Sequence, residues 1–131
     1  MDQPRTEPLA RRAVTAFMAG DLDGVLAVAH PEIVVRSLLT EAERQYYHGH
    51  GGVREWFDAV FGVFPDWRPE PQEAVFDEGE AVVIKLEVTA TAADSRVPID
   101  QVYWLGARSE ADKIRFIGFF RTQAEAVDAL K

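Results

Sequence analysis

Ala81-Val82-Val83-Ile84-Lys85-Leu86-Glu87-Val88-Thr89-Ala90-Thr91 reads as a β-strand with one dry face. Val82, Ile84, Leu86 and Val88 alternate with Val83, Lys85, Glu87 and Thr89, the two-residue period of a half-buried strand. Downstream, a turn around Ala93-Asp94-Ser95-Arg96 leads to a second strand over residues 99–107, and residues 109–112 turn the chain into a third over 113–120. Short turns between consecutive strands make hairpins, so the sheet is expected to be antiparallel. Upstream, Asp77-Glu78-Gly79 separates this meander from residues 67–76, where Pro69 and Pro71 cannot donate to a ladder and confine the segment to an irregular edge strand.

Before residue 65 the period changes to that of a helix. Val53, Trp56, Phe57, Val60, Phe61 and Phe64 fall at i, i+3, i+4, i+7, i+8 and i+11, one wide stripe that must be buried. The glycines of His48-Gly49-His50-Gly51-Gly52 are read as a tight turn ahead of it. Nearer the N-terminus, Leu9, Ala13 and Phe17 mark a first helix ending at Gly20, and Asp21 caps a second with Leu22, Val25, Leu26 and Ala29. Pro31 stops that helix, and residues 33–39, rich in β-branched side chains, form a first strand. Thr122 with Glu125 is a capping box for a closing helix carrying Ala126, Val127 and Leu130.

Helices first and a strand meander afterwards is the pattern of a segregated α+β domain. At 131 residues the chain fits one domain, expected to span residues 1–131. A curved sheet has one concave face to fill. The third helix is its natural filler, and the large aromatics shared by helix and sheet are expected to leave an apolar, small-molecule-sized cavity.

Composition narrows the classes of partner. The chain is 47% hydrophobic and 27% charged, with 14 Lys+Arg against 22 Asp+Glu and a formal net charge of -8, which repels phosphate backbones and anionic lipid surfaces. Nucleic acid and membrane are therefore excluded as expected partners. There are no cysteines, hence no thiolate metal site or thiol nucleophile, a composition suited to a reducing compartment. The polar start Met1-Asp2-Gln3-Pro4-Arg5 lacks the apolar run of a signal peptide, so a cytoplasmic protein is expected.

Several blocks together resemble the SnoaL-like branch of the nuclear transport factor 2-like superfamily. They are Phe17-Met18-Ala19-Gly20-Asp21-Leu22-Asp23, His30-Pro31-Glu32, Tyr47 through Trp56, Phe64-Pro65-Asp66, Gln101-Val102-Tyr103-Trp104-Leu105, Lys113-Ile114-Arg115-Phe116 and Gln123-Ala124-Glu125-Ala126-Val127. The resemblance covers nearly the whole chain in the same order. It implies a cone-shaped fold, a pocket inside the cone, and a homodimer through the convex sheet face. It says less about chemistry, because related cones are isomerases, cyclases, hydrolases and binding domains.

Isomerase and cyclase members of the superfamily place an acid-base residue on the sheet, facing an apolar pocket that can raise a carboxyl pKa. The favoured register points Gln101, Tyr103 and Leu105 inward and Asp100 outward; a shift by one residue reverses this and makes Asp100 resemble the strand aspartate of ketosteroid isomerase. The pattern often has His where Gln101 stands, and Gln cannot act as a general base at neutral pH. His30, leaving the second helix where the mouth of the cone is expected, titrates near physiological pH and is a third catalytic candidate; its alternative role is to satisfy local backbone groups.

Phe17, His30, Trp56, Phe57, Phe61, Leu86, Gln101, Tyr103 and Phe116 are expected around the pocket, each with core packing as the alternative. Lys85 and Glu87 have the spacing of part of the polar core of limonene epoxide hydrolase, but Phe119 stands where its last aspartate is expected. His48 and His50 lack a carboxylate at ligand spacing, so no metal is expected, and nothing calls for a cofactor. Three readings follow: cofactor-free proton transfer on a flat, apolar, carbonyl-bearing metabolite; non-catalytic binding of a small apolar molecule or a dimeric interaction domain; and an epoxide-hydrolase-like, water-activating enzyme.

Overall fold

A computed structural model describes residues 6–37, 46–91 and 98–131. Among the described residues there are four helices and six strands. In order they are α1 (Thr6–Met18), α2 (Leu22–Val28), β1 (Ala29–Arg36), β2 (Tyr46–His48), α3 (Gly49–Val63), β3 (Arg68–Asp77), β4 (Ala81–Thr91), β5 (Pro98–Glu110), β6 (Lys113–Phe120) and α4 (Gln123–Ala129). The strands form one curved, unclosed sheet in the order β2-β1-β6-β5-β4-β3. The architecture is the expected α+β one.

The β3-β4-β5-β6 meander is antiparallel throughout, while β1 joins β6 in parallel. That parallel pair follows from the path of α3, which leaves β2 at one edge of the sheet and delivers the chain to β3 at the other. The meander then works back strand by strand until β6 reaches β1. The β5–β6 hairpin turns through Ala111 and Asp112 at φ 52 and 63, the two left-handed residues of a type I′ turn.

Local signals account for most boundaries. Asp21 accepts from the Gly24 amide at 3.0 Å and starts α2, while Thr122 accepts from the Glu125 amide at 3.1 Å and starts α4. β3 is an edge strand, the place a strand with prolines can occupy, and its pairing shifts register on both sides of Ala74. Two expectations change, and two others fall outside the described residues. β1 begins at Ala29, so Pro31 lies within the strand; Leu38 and Leu39, and the turn at residues 93–96, lie outside the described residues. Gly49, Gly51 and Gly52 form the first turn of α3 and not a preceding loop. Gly52 is needed there because a Cβ would come within 3.0 Å of the Tyr47 backbone.

Two apolar layers result. Val82, Ile84, Leu86 and Val88 of β4, Leu105 and Ala107 of β5, and Phe119 of β6 face the helices α1, α2 and α3 in the main core. The opposite, convex face carries a smaller cluster in which Val83 and Phe120 pack under Ala126 and Leu130 at the C-terminal end. Each fully buried Ile or Leu of the inner face stabilises the fold by roughly 1.5–3 kcal/mol relative to an exposed one.

Candidate functional site

Between the concave face and the helices lies an apolar cavity of about 30 Å³. Phe17 reaches it from α1, Trp56 from α3, Trp67 from the link into β3, Leu105 from β5 and Phe119 from β6. A void of that size holds roughly two water molecules, far short of the ligand-sized space expected from the sequence. The aromatics themselves take up the volume. The Phe17 ring lies 4.6 Å from Trp56, 5.2 Å from Phe57 and 5.0 Å from Phe61, and Phe57 lies 4.8 Å from Phe61. Such tilted and stacked rings add packing energy beyond their buried area.

The wall is almost free of polar surface, and none of the described residues lining it is ionisable. Two of its residues, Trp56 and Trp67, carry indole nitrogens that are buried and without a hydrogen-bond partner among the described residues. Outside the cavity, the exposed Asp66 carboxyl is held below the ordinary aspartate range, chiefly because the Thr91 amide donates to it at 2.7 Å. This bond ties the α3–β3 link to the end of β4.

The candidates from the sequence divide sharply. Phe17 and Trp56 line the cavity; Phe57 and Phe61 pack beside Phe17 at its half-buried flank, and Leu86 is buried in the same core. Gln101 pairs with Val88 and Tyr103 with Leu86, which puts both on the concave face, beyond the cavity wall. Asp100 pairs with Thr89, on the opposite face and exposed. Lys85 and Glu87 share that outward face.

Phe116 is the correction. Regular alternation from the inward Ile114 would point it inward, but Ser109 pairs with Ile114 and Arg108 with Phe116, leaving Arg115 as an extra residue. That bulge reverses the faces, and Phe116 packs with Phe120 in the convex cluster. His30 does not line the cavity either. Its Nδ1 accepts from the Glu32 amide at 3.0 Å and its Nε2 lies 3.4 Å from Glu110, by the β5–β6 turn. His50 meets the Ala29 carbonyl at 2.9 Å, and among the described residues no three His, Cys, Asp or Glu side chains are grouped to hold a metal.

Trp67 and Phe119 are the aromatic wall residues that sequence reasoning missed. Trp67 follows the helix-ending Pro65-Asp66, where periodicity gives no direction; the signal for Phe119 was its inward pairing with Leu105, hidden by the bulge upstream.

No protein of curated function matches the chain by sequence. Among solved structures, TerC co-crystallised with polyporic acid superposes with a TM-score of 0.77 at 15% identity, covering 92% of this chain and 94% of that one. A nuclear transport factor 2-like protein of unknown function from Burkholderia pseudomallei K96243 gives 0.78 at 22% identity, over 92% and 93% of the two chains. A candidate SnoaL-like polyketide cyclase from Jannaschia Sp. CCS1 gives 0.73 at 15% identity, over 98% and 94%. These likenesses establish the shared fold. The profile of the SnoaL-like domain matches residues 10–127, and with the helix-filled curved sheet in place the chain belongs to the SnoaL-like family.

Proposed function

We propose that this protein binds one small, flat, apolar molecule inside its cone and performs no acid-base chemistry on it. The observation that carries the reading is the wall of the cavity: aromatic and aliphatic side chains from α1, α3, β5 and β6, with no ionisable group among them. Proton transfer needs a titrating group within hydrogen-bond reach of the substrate. Gln101 stands on the concave face and Asp100 on the other, so among the described residues an isomerase or cyclase reading has no base. The outward Lys85 and Glu87 remove the polar core that water activation would need. A neighbour of the same fold, TerC, was crystallised with polyporic acid.

Closed packing of Phe17, Phe57 and Phe61 means that a ligand must displace rings to enter, and Phe57 and Phe61, half-buried, are the ones with room to move. Thermal unfolding in the presence of two- and three-ring aromatic compounds tests the reading. Saturating stabilisation at one molecule per chain, with the compound recovered unchanged, is expected; no stabilisation by any of them, or recovery of an isomerised product, would refute it.

The convex face also supports a homodimer. Beyond the patch covered by α4 it presents Val102, 39% exposed, beside the half-buried Trp104. Light scattering at micromolar concentration is expected to give twice the chain mass, and a monomer would sink the proposal. No helix among the described residues is long and apolar enough to cross a membrane, and the cysteine-free composition fits work in the reducing cytoplasm.

A further inference from the structure

Two residues that line the cavity, from different elements, each carry a buried hydrogen-bond donor. Trp56 and Trp67 are each 4% exposed, both line the void, and neither Nε1–H has an acceptor among the described residues. The ring of Phe119 stands against both indoles, 5.7 Å from Trp56 and 6.5 Å from Trp67. A buried donor without an acceptor costs free energy, so native cores hold few of them. Here two share one small space.

Water is a poor remedy. An internal water typically makes about three hydrogen bonds, donating as well as accepting, and this wall has almost no polar surface to accept from it. The complement of a wall with donors and no acceptor is a group that accepts and does not donate. We propose that Trp56 and Trp67 form the polar end of a ligand subsite, their indole N–H groups donating to the oxygen of a carbonyl borne on a flat apolar ring. The inference rests on the binding reading above and narrows its ligand: ketones and quinone-like molecules are favoured, while alcohols and amines leave their own donor hydrogens without a partner. Trp104, on the convex face, is outside this subsite.

Three probes of one skeleton separate the possibilities: 1-indanone, 1-indanol and indane, titrated into the intact chain while the three tryptophan indole N–H resonances are followed by ¹⁵N–¹H NMR. Indanone is expected to bind at least about fivefold more tightly than indane, the scale of one net hydrogen bond, and more tightly than indanol. The Trp56 and Trp67 resonances should move downfield with indanone and not with indane, while that of Trp104 stays. Trp56→Phe and Trp67→Phe should each lower indanone affinity more than indane affinity, because phenylalanine keeps a ring and loses the donor. If the variants do not fold, the resonances of the unsubstituted protein decide alone. Equal binding of all three probes, with the two indoles responding alike to indanone and indane, would overturn the inference and leave the binding reading intact. No binding of any probe would bring down both.

Discussion

Tyr103 donates its phenolic hydrogen to the Gln101 side-chain oxygen at 2.7 Å, two residues apart on the same concave face of β5. The pair is a phenol and a carboxamide, and none of the described cavity-lining residues is ionisable. Ligand affinity is therefore expected to be flat between about pH 5 and 8, where a histidine or a perturbed carboxyl would impose a slope. Isothermal titration across that range checks this, and a bell-shaped profile would return an acid-base pair to the cavity.

The aromatic cluster should dominate stability. Phe17→Ala and Trp56→Ala each remove a buried ring from the centre of the cluster, and each is expected to destabilise the fold by about 3–5 kcal/mol in urea unfolding. A loss below about 1 kcal/mol at either position would mean that the core is looser than the ring separations indicate.

Phe116 gives a separable test of the bulge at Arg115. Phe116→Ala is expected to cost about 2 kcal/mol, roughly half the figure for a fully buried ring, and to leave ligand affinity unchanged. Phe119→Ala should weaken binding as well as stability, because that ring is part of the cavity wall. Equal effects of the two substitutions on affinity would contradict the assignment of the two rings to opposite faces.

Asp66 predicts an acid-side effect. Its folded pKa lies below the unfolded value, so its bond to Thr91 contributes stability that is present above the unfolded pKa and lost as pH falls through the folded one. Carboxyl NMR titration should show a midpoint below the ordinary aspartate range, and Asp66→Asn should flatten the pH dependence of unfolding in that window. A midpoint at the ordinary value would show that the α3–β3 link is not held to β4 by this contact.

Much of this fold is written in short-range pattern. The two-residue alternation of β4 named its buried face correctly, because a strand paired on both sides leaves its side chains only two directions. The stripe on α3 named Trp56 for the same kind of reason, and the inward register of Gln101 and Tyr103 followed from the same alternation in β5. What stayed hidden depends on pairing across the sheet. The extra Arg115 in β6 reverses Phe116 without leaving a proline or glycine as a marker, and the three residues of β2 are too few to show a period. The size of the cavity was illegible for another reason: six aromatic rings can enclose a void or fill it, and only their mutual angles decide. Nor could composition reveal the paired indoles, since an unpartnered donor is a property of surroundings.

The parallel seam between β1 and β6 bears on how the molecule comes to be made. Val35 finds its neighbour in Ile117, near the far end of the chain, so during synthesis the first strand and the greasy flank of α3 wait uncovered until the last strand has left the ribosome. The nascent chain is thus most prone to aggregate, and most in need of a chaperone, in the interval before residue 117 emerges.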